Sequence, residues 1–185
     1  AFSTDPAPGG GTFGSLRDQM LSGERVAFRG QGSDGIYWRS ADGSGPVTTI
    51  ADTNTMIPNS TESFTRFYEF GLDGDLVVFM GYDGADQVGL YVRNLNTNTL
   101  SVFADSSTPS PFPGPPATLT SLYEPMIRDG RVSAKASDSN GNKGLLTDFG
   151  QGLVAPVNDT ATAPNGLGQF NGFDESSIDG NQVVL

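Results

Sequence analysis

TRFYEFGLDGDLVVFMGYDGADQVGLYVRNLNTNTLSVFAD, residues Thr65–Asp105, divides into four short apolar runs separated by turn residues. TRFYEFGL meets the turn LDG, and VVFMG follows it. GYDGADQVG then turns the chain again, and GLYVRN and TLSVFA are the last two runs. Asp-Gly turns between short β-branched and aromatic runs are the strongest local signal for antiparallel hairpins. The stretch therefore predicts four antiparallel strands joined as a meander, with no room for a helix.

The same pattern recurs along the chain. Segments opening at Asp5, Asp52, Asp105 and Asp159 align, and their turn glycines are Gly23, Gly74, Gly130 and Gly180, spaced 51, 56 and 50 residues apart. The longest spacing contains TPSPFPGPPA, Thr108–Ala117, which places the extra residues in a loop. Four strands about every 50 residues is the signature of a β-propeller blade. The fold class expected is all-β, built of four-stranded antiparallel blades. The repeats run approximately 5–51, 52–104, 105–158 and 159–185 of a single repetitive unit, 1–185. Complete strand sets fall at about Ser15–Ala51, Arg66–Ala104 and Ser121–Val157. A fourth set holds only its first two strands, Gly172–Leu185, and Ala1–Asp5 aligns with the end of a fourth strand. Three and a half blades do not close a ring, so the expectation is part of a larger propeller whose open edges favour self-association.

Composition narrows the function classes. The chain has 185 residues with 25 Gly and 12 Pro, and only 36% are hydrophobic, which suits many short strands and turns rather than a helical bundle. No apolar run approaches the ~20 residues of a membrane helix. A net charge of −11 repels phosphate backbones and anionic lipid, so nucleic acid and membrane surfaces are poor partners. The absence of His and Cys removes imidazole bases, thiol chemistry, disulfides and zinc sites built from those residues. Acidity with only two lysines, Lys135 and Lys143, points to an exported or a salt-tolerant protein, and the localisation expected is extracellular or on the cell surface.

The stretch LDGDLVVFMGYDGADQVGLYVRNLNTNTLSVFAD resembles the blade of TolB-like propellers. With its DTNTMIPNSTESFTRF loop, the full unit looks closer to repeats of secreted, surface-anchored bacterial proteins, many of them cyanobacterial. The resemblance covers almost the whole chain and implies a propeller fold. It departs from the TolB-like pattern in having no Pro before Asp73-Gly74 and in its long inter-blade loop.

Two acidic columns are the candidate sites. Asp18, Glu69, Glu124 and Glu175 align five or six residues before the turn glycine, on the strand that would line a propeller's central channel. A ring of carboxylates there suits Ca²⁺ or a polar ligand; calcium is the one cofactor the pattern suggests. Their recurrence in every unit favours a structural role instead, in which each acid accepts backbone N–H groups. Asp5, Asp52, Asp105 and Asp159 open the inter-blade loops, where Asp followed by Ser or Thr makes local side-chain turns. The apolar pairs Phe13/Leu16, Phe64/Phe67, Leu119/Leu122 and Phe170/Phe173 are expected in the core.

Several smaller features have plain explanations. SDSNGNKG, Ser137–Gly144, spaces Asp138, Asn140 and Asn142 like a calcium loop but lacks its Gly and Glu positions, so a hairpin is expected, as for Asp83 and Asp86 in GYDGADQVG. The Pro-rich loop reads as a stiff surface loop or a polyproline ligand. Asn59-Ser60-Thr61 and Asn158-Asp159-Thr160 are glycosylation sequons. Trp38 beside Tyr37 reads as packing or as a sugar platform. The whole describes a non-catalytic binding, adhesion or assembly module for a protein or carbohydrate surface ligand. The alternatives are a subunit polymerising through blade edges, or a glycoside hydrolase or lyase using two carboxylates.

Overall fold

The computed structural model describes residues 5–32, 34–148, 152–162, 166, 168–170, 173, 177–179 and 182–184, the last two ranges as backbone. Among them the secondary structure is entirely β. Twelve strands form three four-stranded antiparallel sheets, each a simple meander in chain order. The first sheet is β1 (Ser15–Ser22), β2 (Arg25–Gln31), β3 (Gly35–Ser40) and β4 (Thr48–Asp52). The second is β5 (Arg66–Asp73), β6 (Leu76–Tyr82), β7 (Val88–Asn94) and β8 (Thr99–Asp105). The third is β9 (Leu119–Arg128), β10 (Arg131–Asp138), β11 (Lys143–Asp148) and β12 (Leu153–Asn158). A further hairpin pairs β13 (Ser177–Asp179) with β14 (Gln182–Val184).

The first turn of each sheet fixes how the units correspond. Pairs Ser22↔Arg25, Asp73↔Leu76 and Arg128↔Arg131 close two-residue turns at Gly23-Glu24, Gly74-Asp75 and Asp129-Gly130. Equivalent positions are therefore Gly23, Gly74 and Asp129, with φ of 55°, 55° and 50°. The sequence alignment on glycines is displaced by one residue in the third unit, because there Gly130 takes the second turn position. Positive φ at the first position alone belongs to type II′ turns; positive φ at both, as at Asp129-Gly130, belongs to type I′. Both turn types match the right-handed twist of the strands, so either sequence solves the same problem.

The core lies between sheet faces. One cluster joins Ala27, Ile36 and Ile50 of the first sheet to Phe64, Phe70 and Val77 of the second. Another joins Met80, Leu90 and Ala104 of the second to Leu122, Ala134 and Leu146 of the third. First strands of successive sheets are neighbours, β1 beside β5 and β5 beside β9. Polar groups carry the same stacking: Gly74 N–H donates to Ser22 Oγ at 2.9 Å, and Gly130 N–H to Asp73 Oδ2 at 3.2 Å. In both cases the residue before one turn accepts from the turn of the next sheet.

In each sheet an aromatic or aliphatic side chain from just before, or at the start of, the first strand packs over the second strand. The Phe13 ring covers Gly30, where a Cβ would come within 2.5 Å of it, and Phe64 covers Gly81 at 2.7 Å. In the third sheet both partners change together: Leu119 replaces the ring and Ala136 replaces the glycine. The expected core pairs Phe13/Leu16, Phe64/Phe67 and Leu119/Leu122 all join buried clusters. Phe170 and Phe173 stack on one another with centroids 5.8 Å apart.

Candidate functional site

The acidic column sits where each first strand breaks its ladder. Pairing skips between Arg17 and Met20, between Phe67 and Phe70, and between Ser133 and Lys135 opposite Met126 and Tyr123. The residue common to all three interruptions, counted from the turn, is the acid: Asp18, Glu69 and Glu124. Asp18 and Glu124 take the left-handed backbone, with φ of 53° and 51°. Each interruption is a β-bulge, an extra residue that bends and re-aims the strand. Asp is among the few non-glycine residues enriched in that conformation. Glu175 lies outside the described residues.

The bulge carboxylates already have partners. Asp18 Oδ2 receives Arg29 Nη2 at 2.8 Å, and Glu124 Oε2 receives Lys135 Nζ at 2.5 Å. Arg29 and Lys135 occupy equivalent positions on the second strand. Met80 stands at that position in the middle sheet, and there Glu69 Oε2 accepts the backbone N–H of Glu124 in the next sheet at 2.6 Å. Arg29 Nη1 in turn donates to Phe67 O across the first sheet boundary at 3.0 Å. Lys135 is 3% exposed, so its ammonium depends on that single carboxylate. The column thus ties strand to strand and sheet to sheet. Among the described residues no three acids converge on one point.

The second column holds the loops. Asp52 Oδ1 accepts Asn54 N–H at 3.0 Å and Thr55 Oγ1 at 2.8 Å. Asp105 Oδ1 repeats this with Ser107 N–H at 2.9 Å and Thr108 Oγ1 at 3.1 Å. In the last loop the pattern falls on Asn158, whose Oδ1 accepts Thr160 N–H at 2.9 Å, rather than on Asp159. A carboxylate and an amide oxygen accept the same bond, so a column read by charge alone picks the wrong neighbour. Asp5 stands three places later in its loop, level with Thr55 and Thr108, and pairs with Arg39 at 3.1 Å.

The remaining features resolve into local structure. Asp138 Oδ1 accepts Asn140 and Asn142 N–H, both at 3.0 Å, and its Oδ2 accepts Ser110 Oγ at 2.8 Å. Burial pushes its pKa up, but the bonds from Asn142, Ser110 and Asn140 outweigh this and hold it below the usual carboxylate value. Asp83 closes its hairpin in the same way through Ala85 and Gln87. The Pro-rich loop is anchored rather than free: Phe112 is buried in the core of the third sheet. Its ring fills space left by Leu119 and Leu146, which stand where the second sheet has Phe64 and Tyr91. Trp38 packs against the core with the Arg25 guanidinium 5.2 Å above its ring, and Arg25 also pairs with Asp75 of the next sheet. Asn59 is exposed on its loop and Asn158 is buried.

Of the clefts between neighbouring sheets, two stand at corresponding places. The cleft between the second and third sheets, about 520 Å³, is lined by Met80, Tyr82, Gln87, Ser121 and Tyr123 among others. That between the first and second, about 310 Å³, is lined by Arg17, Arg29, Gln31, Asp34, Arg66 and Tyr68. Sequence reading missed this gathering because the three arginines stand at three different repeat positions, so no column shows them. No protein-family model and no curated protein matches the chain.

Proposed function

We propose that the chain is part of a secreted or surface-located β-propeller and works as a non-catalytic binding module. Support for the propeller comes from three equivalent meanders whose first strands neighbour one another and whose faces bury a shared core. Support for a non-catalytic role comes from one observation. The described carboxylates best placed for chemistry are already bonded to Arg29, to Lys135 and to the Glu124 backbone. A glycoside hydrolase needs one carboxyl free to give a proton and another free to attack or to activate water. A calcium site needs six or more oxygens around one point.

The test is a melt with calcium or with a chelator, followed by incubation with candidate polysaccharides and assay for released reducing ends. Binding with the ligand recovered intact and an unchanged melting temperature is expected. Turnover abolished by Glu69→Gln would replace this reading with the hydrolase, and chelator-sensitive stability would restore the metal site. One observation favours the assembly alternative: Met20 and Leu21 on β1 are 41% and 69% exposed. Large oligomers in sedimentation at low protein concentration would carry it.

A further inference from the structure

We propose that the cleft between the first two sheets binds the carboxylate of a terminal acidic sugar on a glycan. The proposal rests on the binding-module reading and names a ligand class for it. Arg17, Arg29 and Arg66 line this one cleft together with Tyr68. The equivalents of Arg17 are Tyr68 and Tyr123, those of Arg29 are Met80 and Lys135, and those of Arg66 are Ser15 and Ser121. Two departures from the repeat, Arg17 and Arg66, converge at one place with Arg29, whose basic character Lys135 shares. The corresponding cleft between the second and third sheets is built largely from the same positions and contains no arginine. Stacking the sheets therefore does not require the cluster.

The groups differ in how free they are. Arg29 is held by Asp18 and by Phe67 O, so its charge is already matched and it forms a fixed wall of the cleft. Arg66 lies over the Tyr82 ring at 4.4 Å and meets Asp86 at 3.1 Å in an exposed pair, while its Nε is buried without a hydrogen-bond partner among the described residues. Arg17 is exposed and makes no ion pair with a described residue. Guanidinium forks match a carboxylate in two parallel bonds, so Arg17 and Arg66 are the donors.

The rest of the cleft selects a sugar. Tyr68 is 44% exposed and packs edge-to-face against the Tyr82 ring at 5.4 Å, with the Arg29 and Arg66 guanidinium groups 5.9 and 6.0 Å from its ring centre. An exposed tyrosine ring offers an apolar face to the C–H face of a sugar ring. Asp34 and Gln31 line the edge, Asp34 to accept from hydroxyls and Gln31, whose Oε1 already accepts Ser15 Oγ at 2.7 Å, to donate to them through its amide nitrogen. A net charge of −11 repels a long run of acids, which leaves an isolated carboxylate as the favoured anion. The volume, about 310 Å³, suits a small terminal group rather than an extended chain.

The experiment is calorimetric titration of the whole chain at low salt with four probes: a glucuronate-terminated oligosaccharide, its neutral glucose-terminated counterpart, its sulfated counterpart and a glutamate-rich peptide. Saturable binding of the glucuronate probe is expected, with the neutral probe weaker by about tenfold or more, the loss of roughly one charge-assisted pair. Arg17→Ala and Arg66→Ala should each weaken it about tenfold, Arg17→Ala without lowering the melting temperature, and Ser121→Ala in the corresponding cleft between the second and third sheets should leave it unchanged. Equal binding of the neutral probe, indifference to both arginine variants, or tighter binding of the sulfated probe or the peptide would overturn the assignment. Release of shortened sugar would instead overturn the binding-module reading. A ligand retained intact but insensitive to Arg17 and Arg66 would leave that reading standing and remove only this site.

Discussion

Tyr37 and Tyr91 occupy the same place on the third strand of their sheets, each folded back over a glycine, Gly35 and Gly89. Burial, followed by nearby Asp52 and Asp34 for Tyr37 and by Asp105 and Asp83 for Tyr91, pushes both phenols up to about 12. A raised folded-state pKa means that the neutral phenol's stabilisation is complete below the unfolded value near 10. It is lost as pH rises from there to about 12, by up to ~1.4 kcal/mol per pH unit for each tyrosine. Melts between pH 9 and 12 should show this fall, and Tyr37→Phe with Tyr91→Phe should flatten it. Phe112 carries the third sheet's counterpart of that ring. Phe112→Ala should cost about 3–5 kcal/mol in urea unfolding, as for a buried core aromatic. A loss below about 0.5 kcal/mol, typical of surface sites, would make the loop a mere surface excursion.

At the scale of the element, the strands were legible because their turns are. Gly74-Asp75, Asp129-Gly130 and the Asp83 and Asp138 hairpins state their geometry in two to five residues, and alternation supplies the rest. The bulges were visible only as a column of acids, since the sequence shows the residue type but not the skipped pair that gives it meaning. Asn158 escaped for a related reason: its amide oxygen does the work of a carboxylate. The joint change from Phe64 over Gly81 to Leu119 beside Ala136 is a constraint that lies across strands, and it can be tested as one. Gly81→Ala forces a methyl group against the buried Phe64 ring and should cost about 1–3 kcal/mol, the penalty of overpacking. Phe64→Leu should lose about 1–2 kcal/mol alone yet recover part of the Gly81→Ala cost in the double variant, an interaction of ~0.5 kcal/mol or more in a double-mutant cycle. Additive losses would show that the two positions pack independently.

For the whole molecule, the repeated inter-sheet contact is the unit of stability. Leu21, Leu72 and Ile127 stand at the same place, two residues before the first turn position of their sheets. Ile127 packs against Val78 of the preceding sheet and lies against Gly71, and Leu72 packs on the cluster shared with the first sheet. Leu21 is 69% exposed, whereas Ile127 is 9% exposed. Aliphatic side chains of the same size at the same position, Leu21 and Ile127, thus have different worth depending on what stands beside their sheets. Ile127→Ser should cost about 2–4 kcal/mol, combining lost apolar burial with a cavity and a buried hydroxyl. Leu21→Ser should stay within about 0.5 kcal/mol, as exposed substitutions do. Chemical unfolding of the two variants at low protein concentration, where association is absent, measures both. Equal losses would mean that each sheet is stabilised mainly by its own strands, and the stacked arrangement would then be a consequence of the repeat rather than its source of stability.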